Sequence, residues 1–518
     1  MRVESYLEQS AAARPDHVAL VCGERRTSYG ELNAAADQLA AALALRVAPG
    51  DRVAICLENS IEAVIAIFAA MKAGAVFVPF HPSIRPAKLA CLLGHCGARA
   101  LVAQERTAAI ARQAIPDLHT VAVPFSDALP DGQGSPPGNL PGGSALAAIL
   151  YTSGSTGQPK GVMHSHGGLR AATAAIGQYL ENTPDDVILS ALPLSFGYGL
   201  TQVLTAFSRG ATLVLERSFA YPRKLLETAV RRRATGFPLV PTMAAILLQT
   251  DLEKFALRLR YVTTAAAAMP VEHIGQLRRR LPGVRVFSMY GQTECIRATY
   301  LPPEELDRWP GSVGRAILGT EVWVADDAGR PLPAGQVGEL VVRGPHVMQG
   351  YWNMPEETAR AIGVDPLTGG QLLRTGDLFR TDAGGRLYFV ARRDDVIKTR
   401  GEKVSPAEVE GALCSHPAVA EAAVFGRPDP ILGQAVGAWV VLRDGATIAS
   451  RDLIRHLGER LEDYARPKQL EIVEALPKLA NGKVDKQAIR AACEDRAAAG
   501  AMPVAPVASA GLTPLQTI

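Results

Sequence analysis

Helical and strand-like segments alternate along the chain, and this alternation constrains the fold more than any other feature. Residues 62–72 show helical spacing of apolar side chains, and residues 75–80 form a short β-rich run closed by the turn-forming pair His81-Pro82. The alternation covers residues 16–105 and resumes from residue 186 to residue 290. It predicts βαβ units around a mostly parallel sheet, and therefore an α/β fold.

The sequence changes in character after residue 320. Residues 321–325 and 338–342 are short β-branched runs between Gly/Pro turns, which predicts a small antiparallel β region. A charged junction at residues 392–395 follows a predicted strand, and 518 residues are too many for a single core. We predict a large N-terminal domain (residues 1–391) of parallel-sheet α/β subdomains plus a small β region, a small mobile α+β C-terminal domain (392–495), and a linker or disordered tail (496–518).

Composition and charge argue against several classes of partner and location. The net charge of +3 gives no reason to expect nucleic acid or an anionic membrane surface. The longest apolar run, residues 63–80, contains Lys72 and Gly74, which favours a buried helix and strand over membrane insertion. Seven scattered cysteines lack metal-ligand or redox spacing, and the N-terminus lacks a signal pattern. These features predict a cytoplasmic protein.

The strongest local feature is a Gly/Ser/Thr-rich loop after an apolar strand. Residues 151–161 read Tyr-Thr-Ser-Gly-Ser-Thr-Gly-Gln-Pro-Lys-Gly. Glycines let a backbone approach a phosphate closely, and hydroxyls with Lys160 can donate hydrogen bonds to its oxygens. It is not a Walker loop, because Lys160 follows Pro159 rather than Gly and precedes no Ser or Thr. By composition alone, a plain flexible loop is the more common interpretation of such a stretch.

The whole string resembles the signature loop of the adenylate-forming superfamily, which includes acyl- and aryl-CoA ligases, nonribosomal adenylation domains and firefly-type luciferases. Further motifs follow in family order and cover roughly residues 15–490. They are Leu-Pro-Leu from Leu192, Met-Tyr-Gly-Gln-Thr-Glu from Met289, Gly-Glu-Leu from Gly338, Gly-Tyr-Trp from Gly350, Thr-Gly-Asp from Thr375, Arg-Arg-Asp-Asp from Arg392, and Pro-Lys-Leu-Ala-Asn-Gly-Lys from Pro477.

The resemblance implies an ATP-binding set and a metal ligand. The implied ATP-binding residues are Thr152, Ser153, Ser155, Thr156, Lys160, Tyr290, Asp377 and Arg392. Thr293 would contact phosphate and Glu294 would hold Mg²⁺, since a carboxylate beside a phosphate is unfavourable without a cation between them. Asp377 would accept hydrogen bonds from the ribose. Taken alone, Glu294 and Asp377 also fit a surface residue and a turn cap. Ala391 stands where the family usually has glycine before the arginine.

Three further residues are implied to act in the smaller domain. Lys483 resembles the lysine that reaches the α-phosphate and the acid oxygen, where charge builds as pyrophosphate leaves. Asp394 resembles the hinge about which the family's small domain swings between two poses. Gly401 resembles a glycine that lines the pantetheine tunnel. By sequence alone, Lys483 is also an exposed turn lysine and Gly401 a turn glycine. The implied catalytic set is Lys483, Thr293 and Glu294.

The predicted acid pocket comprises Phe196, Gly197, Tyr198, Ala266 and Ala267. Relatives that activate amino acids usually carry Asp where Gly197 stands, and a buried ammonium without a counter-charge would cost several kcal/mol. The surrounding string is similar to that of benzoate-type aryl-CoA ligases and of ligases found beside exopolysaccharide-export genes. The alanines replace two family glycines, so their methyl groups would narrow a packed wall. We therefore expect a small or flat acid rather than a long chain.

These inferences predict an AMP-forming acid–thiol ligase. ATP, with Mg²⁺, would activate a carboxylic acid as an acyl-adenylate with release of pyrophosphate, and CoA or carrier-protein phosphopantetheine would then accept the acyl group. One alternative is a stand-alone enzyme that loads an amino acid, for example proline, onto a carrier protein. Another is a non-catalytic nucleotide-binding protein with the same fold. Such a non-catalytic protein would be expected to have lost Lys483, Glu294, Asp377 or Arg392, and all four residues are present.

Overall fold

The computed structural model describes residues 1–123, 140, 142–152, 159–365, 369–400, 402–429, 431–479 and 481–498. The described residues of 1–269 and 273–389 form one compact unit, the first unit, and residues 270–272 with the described residues from Val390 onward form the second unit. Four residues predicted from the loops lie outside the described part, namely Ser153, Ser155, Thr156 and Gly401, and so does the predicted tail from residue 499. Within the described part, no helix is both long and apolar enough to cross a membrane.

Seven of the helices between residues 5 and 361 begin at a capping Ser or with Pro in the first turn. Ser28 caps one of them reciprocally, because its side chain accepts from the Glu31 backbone while the Glu31 side chain accepts from the Ser28 backbone. The helices are α1 (Ser5–Ala13), α2 (Tyr29–Ala44), α3 (Ile61–Lys72), α4 (Pro86–Cys96), α5 (Glu105–Ala114), α6 (His166–Tyr179), α7 (Gly197–Arg209), α8 (Pro222–Arg231), α9 (Pro241–Leu247), α10 (Val271–Arg280) and α11 (Pro355–Ala361).

The strands up to residue 392 are mostly short and apolar. They are β1 (Val18–Cys22), β2 (Arg25–Ser28), β3 (Arg52–Cys56), β4 (Val76–Phe80), β5 (Ala98–Gln104), β6 (His119–Val123), β7 (Leu146–Thr152), β8 (Lys160–Ser165), β9 (Val187–Ser190), β10 (Thr212–Leu215), β11 (Gly236–Leu239), β12 (Tyr261–Thr264), β13 (Arg285–Tyr290), β14 (Thr299–Leu301), β15 (Arg315–Ala316), β16 (Glu321–Ala325), β17 (Gly338–Arg343), β18 (Gly350–Tyr351), β19 (Ile362–Val364), β20 (Gln371–Thr381) and β21 (Leu387–Arg392).

Two sheets of the first unit carry the predicted βαβ pattern. Among the described residues, one has seven strands in the order β18-β8-β7-β4-β3-β5-β6, and the other has nine in the order β15-β14-β13-β12-β11-β9-β10-β1-β2. The inner pairs are parallel, as the alternation predicted. Helix α3 and strand β4 are buried along their length, so the apolar run at residues 63–80 is a core helix followed by a strand.

A smaller antiparallel sheet follows, as predicted. Strands β16 and β17 pair from Glu321–Arg343 to Ala325–Glu339, and β20 pairs with β17, β19 and β21. Its buried side chains, including Leu340, Leu373 and Phe379, form a separate apolar cluster. This sheet positions Asp377, which lies within β20.

The second unit has a sheet and core of its own. Its strands are β22 (Ile397–Thr399), β23 (Glu402–Val404), β24 (Val419–Asp429), β25 (Gly433–Leu442) and β26 (Gln469–Ile472), and its helices are α12 (Pro406–Cys414), α13 (Ser450–Gly458) and α14 (Lys486–Ala498). Val409, Leu413, Val424, Val440 and Leu453 are buried together in its centre. The mixture of helices and a largely antiparallel sheet is the α+β class that the sequence predicted.

Candidate functional site

Parallel strands of the nine-stranded sheet bring several predicted residues to one edge. Strands β9, β11, β12 and β13 run parallel to one another. The segment with Phe196 to Tyr198 follows β9, the Ala266 loop follows β12, and Thr293 and Glu294 follow β13. Carboxyl ends of parallel strands meet at the same sheet edge, which is where open α/β sheets bind ligands. The topology therefore gathers the acid-pocket and phosphate residues of the first unit.

The predicted phosphate loop joins the two strands of a β-hairpin. Thr152 and Lys160 are register partners of antiparallel β7 and β8, so the predicted loop begins and ends at two directly opposite positions. The Tyr151 hydroxyl lies 2.6 Å from His95 Nδ1, and the Lys160 ammonium lies 5.1 Å from the centre of the Tyr351 ring. The last contact is a cation–π interaction, and it holds the lysine beside the turn after β13.

Glu294 is fixed by the same tyrosine. The Tyr351 hydroxyl donates a hydrogen bond of 2.8 Å to Glu294 Oε1, while the Met348 backbone N–H donates to the Glu294 carbonyl. Tyr351 therefore lies between Lys160 and Glu294. A Cβ at Gly291 would come within 2.6 Å of the Ile296 carbonyl oxygen, so the turn that presents Glu294 requires glycine there.

His164 ties strand β8 to Thr293. Its Nε2 donates to the Thr293 carbonyl at 2.8 Å, and burial lowers the pKa of His164 to about 4. The ring is therefore neutral near pH 7, with its proton on Nε2 where the carbonyl accepts it. His164 is a positioning residue for the turn at Thr293, and sequence reasoning missed it. The position within a β-rich run carried no signal for this contact.

Tyr290 and Asp377 form a buried hydrogen-bonded pair. The Tyr290 hydroxyl donates to Asp377 Oδ2 at 2.6 Å, and Asp377 is 6 % exposed. Burial, reinforced by the negative charge of Asp377, raises the pKa of Tyr290 well above its ordinary value, so the phenol stays a donor at all physiological pH. The structure thus brings together two residues of the predicted ATP set.

A second layer of hydrogen bonds orients Asp377. Gln292 Nε2 donates to the Thr375 carbonyl at 3.1 Å, and the Asp377 backbone N–H donates to Thr375 Oγ1 at 3.2 Å. Buried Glu339 accepts from the Gly376 backbone at 2.9 Å and from Arg374 Nε at 3.0 Å. Gly376 has φ of +70°, which suits glycine. These contacts give the carboxylate one orientation.

The acid-pocket residues lie around the start of α7. The Tyr198 hydroxyl lies 2.6 Å from Thr263 Oγ1, and the rings of Phe196 and Tyr198 meet edge to face. A Cβ at Gly197 would meet ordinary contacts of 3.8 Å, so glycine is not sterically required there. Ala266 is half-buried and packs against the main core with φ of +81°, whereas Ala267 is exposed.

The residues predicted in the second unit occupy turns. Arg392 ends β21, Asp394 is exposed in the turn that follows, and the unit begins at Val390 just before them. Lys483 is half-buried in a tight turn in which its backbone N–H donates to Asn481 Oδ1 at 3.1 Å and its carbonyl accepts from Leu479. Gly482 has φ of +82°, so the turn needs glycine before the lysine.

The donor set around Glu294 fits Mg²⁺ held partly by a substrate. Glu294 Oε1 accepts a hydrogen bond from the Tyr351 hydroxyl. No group of three or more His, Cys, Asp or Glu side chains gathers to hold a metal among the described residues. One carboxylate plus phosphate oxygens and water is the usual environment of Mg²⁺ in nucleotide enzymes.

Comparisons with known proteins agree with this geometry. The family model described as AMP-binding enzyme matches residues 7–352, and the AMP-binding enzyme C-terminal domain matches residues 408–483. Phosphinothricin tripeptide synthetase PhsC of Streptomyces viridochromogenes is 36 % identical over 93 % of this chain, which spans only 44 % of that relative. Indoleacetate–CoA ligase of Aromatoleum aromaticum is 33 % identical, with 95 % of this chain and 98 % of the relative covered.

Solved structures share the fold over nearly the whole chain. The structure of the anthranilate CoA ligase AuaEII in complex with anthranoyl-AMP matches with a TM-score of 0.88 and 28 % identity, covering 96 % of this chain and 98 % of that one. The two family models, the relative of similar length and the anthranilate CoA ligase structure all indicate the same family. The chain therefore belongs to the AMP-binding, adenylate-forming enzyme family.

Proposed function

We propose that the protein uses ATP to activate a carboxylic acid as an acyl-adenylate and then passes the acyl group to a thiol of CoA or of carrier-protein phosphopantetheine. The observation that carries the proposal is the first-unit cluster in which Tyr290 holds Asp377 and Tyr351 links Lys160 to Glu294. In this cluster Asp377 can accept hydrogen bonds from a ribose diol, Lys160 can bind phosphate, and Glu294 can hold Mg²⁺.

Adenylation would be a displacement at the α-phosphorus of ATP. A carboxylate oxygen of the acid forms the new P–O bond, and the bond to the pyrophosphate oxygen breaks. Lys160 and Thr293 would bind phosphate oxygens, and Glu294 would hold Mg²⁺, which neutralises charge on the leaving pyrophosphate. We assign Lys483 to the developing charge on the α-phosphate and acid oxygen, and Arg392 to the ribose beside Asp377.

Transfer to a thiol would complete the reaction. The thiolate attacks the acyl carbon of the adenylate, a C–S bond forms, and AMP leaves. Asp394, in an exposed turn near the start of the second unit, would serve as the hinge between poses for the two half-reactions. Gly401, outside the described residues, would line the path of the pantetheine arm.

Acid-dependent ATP–pyrophosphate exchange tests the first step. The panel holds aryl acids, short and long fatty acids, and amino acids including proline, and AMP formation with CoA then tests the second. A response to one class with Asp377→Ala inactive supports the proposal. Silence across the panel, with ATP binding intact, would refute catalysis and favour a nucleotide-binding protein that has kept the fold. Long-chain acids as the best substrates in competition would refute the small or flat pocket.

Two variants separate the half-reactions. Lys483→Ala should abolish adenylation but spare thioester formation from a supplied adenylate, whereas Asp394→Pro should do the reverse by blocking the hinge. Lys478→Ala is the matched control, because this lysine lies close by in sequence and pairs with Glu421 at 2.9 Å. If both Lys483→Ala and Asp394→Pro lose only adenylation, the two-pose mechanism is wrong for this protein.

Amino-acid loading onto a carrier protein is the second candidate. Its support is the similarity to PhsC, a peptide synthetase by name, at 36 % identity. Gly197 stands against it, because this position offers no carboxylate to pair with an α-ammonium. Exchange driven by an amino acid, but not by the matched acid without the amino group, would favour this candidate.

A further inference from the structure

Arg297 is a buried cation beside the acid pocket. It is 2 % exposed, and its guanidinium carbon lies 5.2 Å from the centre of the Tyr198 ring. Its Nε has no hydrogen-bond partner, and a side-chain hydrogen bond links the guanidinium to neutral Tyr179. Within the described ranges, no carboxylate forms an ion pair with Arg297. A buried charge without a counter-charge costs several kcal/mol, so the position is unfavourable unless a ligand supplies the anion.

The same unit shows how a buried cation is otherwise accommodated. Lys72 is 3 % exposed, and its ammonium contacts Asp37 at 2.6 Å, Glu8 at 3.1 Å and Asn33 Oδ1 at 2.9 Å. Three protein acceptors therefore surround Lys72, whereas Arg297 faces an aromatic ring. The contrast marks Arg297 as a charge kept for something other than stability.

Its position serves the acid rather than the nucleotide. Consecutive residues of a strand point to opposite faces. At the end of β13, Tyr290 points to Asp377, while Met289 points the other way, where its sulfur accepts from the Tyr179 hydroxyl at 3.0 Å. Arg297 acts on this second side, since its charge and a hydrogen bond lower the pKa of Tyr179 against the larger effect of burial.

Contacts of the neighbouring residue place Arg297 next to the start of α7. A Cβ at Gly197 would lie 3.8 Å from Ile296 Cδ1, so the segment before Arg297 packs against the helix that carries Tyr198. The guanidinium therefore lies against the ring of a residue predicted to contact the acid. A positive charge there also repels an α-ammonium, in line with the absence of an acidic residue at position 197.

We infer that the acid substrate carries a second carboxylate, distal to the one that is adenylated, and that Arg297 is its specificity-determining partner. The inference rests on the proposed function for the identity of the pocket. Arginine is suited to this role because its planar fork donates two parallel hydrogen bonds to a carboxylate. An acid with no second carboxylate would leave the buried guanidinium without a counter-charge.

Matched acids test the inference in ATP–pyrophosphate exchange. Each pair consists of a dicarboxylic acid and its monomethyl ester, with glutarate and phthalate as the first two. We expect the wild type to prefer one dicarboxylate over its ester by about 10-fold to 100-fold in kcat/KM, the range for a hydrogen bond to a charged group. Arg297→Met should lose that preference while retaining activity on the ester, and Arg297→Lys should retain part of it. Arg285→Met, a surface arginine paired with Glu181, is the control.

A binding readout separates this inference from the proposed function. The dicarboxylate, with ATP present, should raise the Tm of the wild type and not that of Arg297→Met, whose ATP affinity should be unchanged. This rise in Tm without any ATP–pyrophosphate exchange would support the dicarboxylate site and refute the proposed ligase activity. The opposite result has three parts: exchange with acids that carry no second carboxylate, no preference for dicarboxylates, and an equal loss of activity on all acids in Arg297→Met. It would refute the dicarboxylate site and leave the proposed ligase activity supported.

Discussion

Replacing Tyr290 by Phe removes one oxygen from the centre of the nucleotide site. The lost hydrogen bond joins the phenol to Asp377 Oδ2 at 2.6 Å, which is the short distance of a charge-assisted bond. The phenol oxygen also accepts from Gln292 Nε2 at 3.3 Å. Because Asp377 is buried, water does not readily replace the donor, and we expect a loss of roughly 1.5–3 kcal/mol in the free energy of unfolding of the first unit.

Tyr388→Phe is the matched control for this prediction. Its hydroxyl donates to Asp382 Oδ2 at 3.2 Å, in a less buried part of the same unit. The chemical change is identical, but the weaker, more solvated bond should cost under about 1 kcal/mol. Urea unfolding followed by tyrosine fluorescence, with ATP affinity measured in parallel, compares the two. Equal stability and equal ATP affinity for both variants would refute the assignment of Tyr290 as the residue that holds Asp377.

Three further predictions rest on single residues. Gly199→Ala should destabilise the first unit by roughly 1–3 kcal/mol, because the added Cβ would lie 2.2 Å from the Pro193 carbonyl oxygen. Gly197→Ala should change the stability by less than about 1 kcal/mol, because its Cβ would meet only ordinary contacts. Thermal unfolding of both variants checks this prediction. Ala266→Gly relieves a positive φ of +81° and removes a methyl group, so exchange should improve for acids bulkier by one methyl while Tm changes little. His164 has a pKa of about 4 in the folded protein against about 6.5 in the unfolded chain. Its contribution of roughly 3 kcal/mol to the free energy of unfolding is therefore fully present above pH 6.5 and is lost as the pH falls towards 4. The free energy of unfolding of His164→Gln should fall less steeply with acid, and an unchanged slope would refute the buried neutral ring.

Local patterns predicted the main elements because local periodicity determines them. The predicted helix at residues 62–72 is observed as Ile61–Lys72, and the predicted strand at 75–80 is observed as Val76–Phe80. The antiparallel pair predicted from residues 321–325 and 338–342 is also present. These segments are confirmed because their apolar spacing matches a helix or strand without help from distant residues.

Contacts that join distant parts of the chain were beyond sequence reasoning. Tyr351 reaches Glu294 and His164 reaches Thr293 only after the hairpin of β7 and β8 meets the turn after β13. Cys91 on α4 is exposed and Cys22 is half-buried, whereas the other five cysteines are buried. Side-chain burial depends on which face of an element the fold covers, and period alone does not specify this at single positions.

Three of the six non-glycine residues with positive φ in the described part of the chain lie in segments to which we assign chemistry. Ala266 with φ of +81° borders the acid pocket, Ile296 with φ of +58° precedes Arg297, and Arg400 with φ of +54° precedes Gly401. Each such residue costs about 1–3 kcal/mol unless its surroundings impose the conformation. At Ile296 the cause is visible: the tight turn from Gly291 brings the Ile296 carbonyl and the Arg297 backbone against the glycine. The strained turn that presents Glu294 on one side therefore also directs Arg297 to the other, so one turn positions both the carboxylate that we propose as the Mg²⁺ ligand and the charge that we expect to select the acid.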